Sequence, residues 1–263
     1  MKHSIRICDI SQWLPAIAEI RTRSLKANDH VTFSLGKIKP EEIRSEHIAS
    51  LSCCLQYLQD RNISISMKKP MNRHWYADRV FGLWKIDEGT SADYTTRLYR
   101  HLKVLNPEKD LTAVRMGINE LIYNVFDHSE SSDNAFIHTS YDYYSRQLHI
   151  ACCDFGIGIA KLVRRFHPDL PDDKTAIRKA TEFSFTTRSR PHNGGIGLDN
   201  VISSCSDTDE LFIISNKGQI IVQNNNMSTF ALDYEFPGTL IFYRISITEL
   251  PDIDNDDLDD VYI

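Results

Sequence analysis

Two glycine-bearing segments and one polar line carry the residues able to do chemistry. Asp154-Phe155-Gly156-Ile157-Gly158 is followed, 36 residues after Gly158, by Gly194-Gly195-Ile196-Gly197-Leu198. Upstream, Glu120, Asn124 and His128 recur at intervals of four. On an α-helix that spacing stacks side chains on one face, about 6 Å apart per step. A carboxylate at a strand end, aimed into a cleft, accepts a hydrogen bond from an exocyclic amine. Gly156 and Gly158 let the chain turn sharply and approach a planar ligand without a Cβ clash. A glycine-rich turn opening onto a helix, as at Gly194, Gly195, Gly197 and Leu198, offers backbone N–H groups to phosphate. A single amide oxygen such as that of Asn124 is sufficient for Mg²⁺, which keeps waters and phosphates as its other ligands. Each piece alone has a plainer reading, as a solvated helix face or a strand-to-helix turn.

Other nucleotide motifs do not fit. No Gly-Lys-Ser/Thr follows the second glycine segment, so it is not a Walker loop. The first lacks the third glycine of a dinucleotide fingerprint, and its acid precedes the glycines.

The order Glu120/Asn124, Asp154-x-Gly-x-Gly, Gly-x-Gly-Leu, then Gly238-Thr239 resembles the GHKL, or Bergerat-fold, ATPases. These are the ATP-binding modules of sensor histidine kinases, gyrase B, MutL and anti-sigma serine kinases. The resemblance covers roughly residues 100–248. It implies Glu120 as the residue that orients or deprotonates the attacking group, Asn124 as a Mg²⁺ ligand, and His128 near the phosphates. Asp154 then reads the adenine amino group, Gly156 and Gly158 back the base, and Gly194, Gly195, Gly197 and Leu198 close the ATP lid. Thr239 supports the base-reading carboxylate through water. ATP and Mg²⁺ are the implied cofactors, and the activity is slow ATP hydrolysis or phosphoryl transfer by an ATPase or a serine/histidine-type protein kinase. The alternative is a non-catalytic, ATP-gated protein-interaction switch. Either implies a protein partner and leaves room for a homodimer. No dimerisation helix and no large transducer are evident in the sequence, which points away from a complete histidine kinase, gyrase or MutL.

The elements that must position these residues follow from periodicity. Val114, Ile118, Leu121, Ile122 and Val125 form an apolar stripe over a helix from Leu111 to His128. Strands are expected at Ala135–Thr139, Leu148–Cys152, Leu211–Ser215, Gln219–Gln223 and Thr239–Ile247, with a short helix at Leu198–Ser204. The connection Ala160–Asn193 holds eight Lys/Arg and four acids and is expected to be a basic, mobile lid. Upstream, Val31–Leu35, a helix through Ile48, Leu51, Leu55 and Leu58, and Ile63–Met67 predict a strand–helix–strand crossover with a parallel pair. A second helix is expected from Arg73 to about Leu83. The fold class is therefore α/β (α+β). Residues 1–95 form a small α/β domain vaguely similar to sulfate-transporter/anti-sigma-antagonist domains. Residues 96–248 form a Bergerat-type sandwich, its mixed sheet covered by helices on one face, and residues 249–263 an acidic, solvated tail.

Composition adds limits. Hydrophobic content of 41% and charged content of 25% describe an ordinary globular chain. The net charge of −6 comes from Glu249–Asp260, whose seven acids account for all but 29 of the 36. The rest, with 30 bases, is near neutral and offers no nucleic-acid face. No signal peptide or membrane span is expected. Six cysteines without Cys-x-x-Cys, two pairs of them adjacent, read as buried apolar groups in a reducing cytoplasm.

Overall fold

The computed structural model describes residues 1–68, 82–87, 89–129, 135–182 and 198–253. It contains two sheets, one of three strands in the order β1-β2-β3 and one of five in the order β4-β5-β6-β8-β7.

The first sheet is parallel: β1 (Lys2–Arg6), β2 (His30–Ser34) and β3 (Ser64–Lys68), linked by α1 (Trp13–Thr22) and α2 (Ser45–Gln59). The expected crossover is present at β2–α2–β3, and a further turn of the same pattern, β1 and α1, precedes it. Lys2-His-Ser-Ile-Arg6 buries only Ile5, too little alternation to read as a strand.

The second sheet is antiparallel throughout. Its strands are β4 (Gly82–Ile86), β5 (Ala135–Asp142), β6 (Gln147–Asp154), β7 (Glu210–Gln223) and β8 (Asn226–Ser246). Gly82 and Leu83, expected at the end of a helix, are strand residues paired with Thr139 and His138; residues 73–81 of that helix lie outside the described residues. The two strands expected within 211–223 are one, kinked by a register shift at Asn216–Gly218. Its partner β8 begins thirteen residues before Thr239, across an Asn224-Asn225 turn with φ of 50° and 56°, the left-handed pair that suits a tight hairpin.

Helices cover both faces of this sheet, not one. On the first face lie α3 (Ser91–Leu105), α4 (Thr112–Ser129), α5 (Ile159–Phe166), α6 (Asp173–Lys179) and α7 (Leu198–Ser203). They share a core with Ile137, Ile150, Cys152, Ile213 and Ile241. The stripe Val114, Ile118, Leu121 and Ile122 is buried there; the Val125 side chain lies outside the described residues. On the opposite face α1 and α2 pack against Phe136, Cys153, Phe212, Phe236 and Phe242. Adjacent Cys152 and Cys153 thus enter different cores, as strand alternation demands, and the Cys53 thiol donates to the Cys153 carbonyl at 3.1 Å. Burial pushes the thiols of Cys54, Cys152 and Cys153 well up, so these cysteines are inert packing groups.

Two further expectations change. Part of the supposed lid is packed: Ala160, Val163, Ala176 and Ile177 of α5 and α6 are fully buried, while its residues 183–193 lie outside the described residues. The acidic tail begins tied down. Asp110 N–H donates to Pro251 O and Ile253 N–H to Glu108 O, each at 2.9 Å, while Lys109 pairs with Asp252 at 2.8 Å. Among the described residues no helix is long and apolar enough to cross a membrane.

Candidate functional site

Asp154 is the last residue of β6. It lies opposite Thr239 of β8, which in turn lies opposite Ser215 of β7. Alternation puts all three on the face that carries α3–α7, because Ile150, Cys152, Ile213 and Ile241 belong to that core. The three form one polar row across the strand ends, each no more than 1% exposed.

The row is tightly bonded. Gly156 N–H donates to Asp154 Oδ1 at 2.6 Å, and the Thr239 backbone amide also favours the charged form of that carboxyl. Burial nevertheless pushes the Asp154 carboxyl up to about 7, against the pull of those two N–H groups and of the Arg21 guanidinium. Gly238 has φ of +119°, and a Cβ there would lie 2.4 Å from the Asp154 carbonyl and 2.9 Å from Oδ1. Gly158 has φ of +86°, and its Cβ would meet Asn216 Oδ1 at 2.6 Å and Ser215 Oγ at 2.8 Å. The chain closes on the carboxyl only because both positions are glycine.

Gly158 opens α5, whose first amides have no helical partner. Side chains from three positions satisfy them. Ile159 N–H donates to Thr239 Oγ1 (3.3 Å), Ala160 N–H to Ser215 Oγ (3.3 Å), and Lys161 N–H to Asn216 Oδ1 (3.0 Å). Asn216 also donates from Nδ2 to the Ile157 carbonyl at 3.0 Å. The Thr239 hydroxyl therefore caps a helix directly beside the Asp154 carboxyl. Ser215 and Asn216 escaped the sequence reading; the available signal was Asn216-Lys217-Gly218, an Asn–Gly turn pattern that marks the kink in β7 and gives Asn216 a φ of +53°.

On α4 the pair Glu120 and Asn124 is joined as its spacing predicts. Asn124 Nδ2 donates to Glu120 O at 2.8 Å and to Glu120 Oε1 at 2.9 Å. Both acceptors are oxygens that donate nothing, so the nitrogen end of the amide is fixed there. Oδ1 remains the end with lone pairs for a cation, which fits an amide-oxygen ligand for Mg²⁺ completed by phosphates and water. Asn124 is buried and Glu120 half-buried. A cavity of about 330 Å³ adjoins Glu120, between Met116 and Gly117 of α4 and, across from them, Asn200 and Ser203 of α7 with the following Ser204. Helix α4 contacts β6 and β8, so Glu120–Asn124 and Asp154–Thr239 occupy the same layer.

Of the remaining expected site residues, Leu198 begins α7 and is buried. The His128 side chain, Gly194, Gly195 and Gly197 lie outside the described residues. Among the described residues no cluster of three or more His, Cys, Asp or Glu is disposed to hold a metal. No protein-family model matches the chain, and no curated protein matches it either.

Proposed function

We propose that this chain is a Mg²⁺-dependent ATP-binding regulatory protein of the GHKL type, which hydrolyses ATP slowly or passes its terminal phosphoryl group to a protein partner. One observation carries the reading: a buried carboxyl, Asp154, ends β6 with a backbone amide and a glycine turn around it. The backbone donors at this carboxyl do not offset its burial, so a further donor from a ligand would stabilise it, and an adenine amino group is such a donor. Asn124 would hold Mg²⁺ beside the phosphates, and Glu120 would orient or deprotonate the attacking water or hydroxyl. The natural setting for such a protein is the cytoplasm.

The non-catalytic switch shares this site and gains support from one contact. Arg21 of α1 donates to the Phe155 carbonyl at 3.2 Å, which links the residue beside Asp154 to the N-terminal helices and offers them a readout of occupancy. Calorimetric titration with ATP, ADP and GTP, with and without Mg²⁺, tests both readings: ATP binding should require Mg²⁺ for full strength and exceed GTP binding. Turnover then separates the enzyme from the switch.

A further inference from the structure

Helix α5 is strongly two-sided. Ile159, Ala160, Leu162 and Val163 face the core, whereas Lys161, Arg164 and Arg165 are exposed. That basic side does not lie over the Glu120–Asn124 pair. With Arg21 of α1 it lines a cleft of about 750 Å³ whose floor includes Gly156 and Gly238. Because α1 and α5 pack on opposite faces of the five-stranded sheet, this cleft straddles the end of the sheet and differs in position from the cavity beside Glu120.

The charge in the cleft is lopsided. Four cations line it, and Glu235 is the one acid among the lining residues. Glu235 pairs with Lys161, both ends about half exposed, and Arg164 pairs with Asp173 at 3.2 Å. The Lys161–Glu235 pair, open to solvent at both ends, contributes little and exchanges readily for a better anion, whereas Asp173 is buried and holds Arg164 more firmly. Arginine forks favour phosphate oxygens, which they bind two at a time. The α5 N-terminus adds nothing, since its first three amides are already satisfied; the attraction is the side chains' own.

We propose that the α1–α5 cleft is a binding site for a small phosphate-bearing polyanion, distinct from the cavity beside Glu120. The inference does not depend on the nucleotide reading. Its decisive feature is that Arg21 and Lys161, 140 residues apart in the chain, meet in this cleft.

The test is titration of the intact chain with inorganic tripolyphosphate at low ionic strength. Saturable one-to-one binding is expected. Arg21→Gln and, separately, the double variant Lys161→Gln/Arg165→Gln should each weaken it by about tenfold or more, and Asp154→Asn should leave it unchanged. Glu235→Gln, which frees Lys161, should tighten it about two- to fivefold; a gain of affinity cannot arise from misfolding. Absence of saturable binding, binding indifferent to Arg21→Gln, or equal loss in Asp154→Asn would overturn the proposal. Loss of ATP binding in Asp154→Asn with tripolyphosphate binding intact separates the two sites, so that either reading fails alone.

Discussion

Thr239 stands across the β6–β8 pair from Asp154, and its backbone amide favours the charged form of the Asp154 carboxyl. That amide and the one from Gly156 lower the cost of charge at Asp154 without cancelling the burial that raises it. The folded-state value, about 7, lies above the ordinary 3.8. The stabilisation from the proton held there is complete below about pH 4 and is lost as pH rises through 7. At about 1.4 kcal/mol per unit the full swing is on the order of 4 kcal/mol. Asp154→Asn removes the titration. In urea unfolding at pH 4 and pH 8 the variant should gain on the parent between the two. A parent–variant difference that stays constant with pH would show that Asp154 is not a buried, proton-holding group.

Gly238 and Gly117 form a contrasting pair. Gly238→Ala places a Cβ 2.4 Å from a backbone oxygen at φ of +119°, and the strain should cost about 3 kcal/mol or more. Gly117 lies inside α4 with nothing within 4 Å of its would-be Cβ, so Gly117→Ala should stabilise by about 0.5–1 kcal/mol. Thermal unfolding of both variants checks the geometry at each end of the site. A tolerated Gly238→Ala contradicts the close approach at Asp154.

Glu120 and Asn124 should separate by experiment even though they touch. Glu120→Ala keeps ATP binding and loses about 10²–10⁴ in turnover, the usual loss for a general base. Asn124→Ala removes the Mg²⁺-dependent part of the affinity. Parental turnover in Glu120→Ala excludes it as the base. If the parent protein has no turnover with any partner tried, the switch reading replaces the enzyme.

What could be read from the chain was what alternation and helical spacing encode. The stripe Val114, Ile118, Leu121 and Ile122 and the crossover around α2 belong to elements with one wet face, where polar and apolar residues must alternate. The coverage of both sheet faces was less plain, yet Leu211-Phe-Ile-Ile214 and Leu240-Ile-Phe-Tyr243 are unbroken apolar runs, the pattern of strands buried on both sides. Helices α5 and α6 are seven or eight residues long, so their outward charges outweighed three or four buried positions and suggested a mobile lid. At the site, Asp154, Glu120 and Asn124 carry motif spacing. Ser215 and Asn216 act through sheet register and a kink, which join residues 55 positions apart; the local trace, Asn216-Lys217-Gly218, marks the kink but not the partners.

The central claim, that Asp154 reads an adenine nucleotide, is tested most directly by calorimetric titration of the parent and of Asp154→Asn with ATP·Mg²⁺ at pH 8. A cooperative urea transition of the variant at the same pH shows that it is folded, so lost binding cannot be assigned to unfolding. The parent should bind one ATP per chain, and Asp154→Asn should bind it roughly ten- to a hundredfold more weakly, the loss expected when a buried acceptor is replaced. Equal ATP affinity in the two proteins, or no ATP binding by the parent, would contradict it.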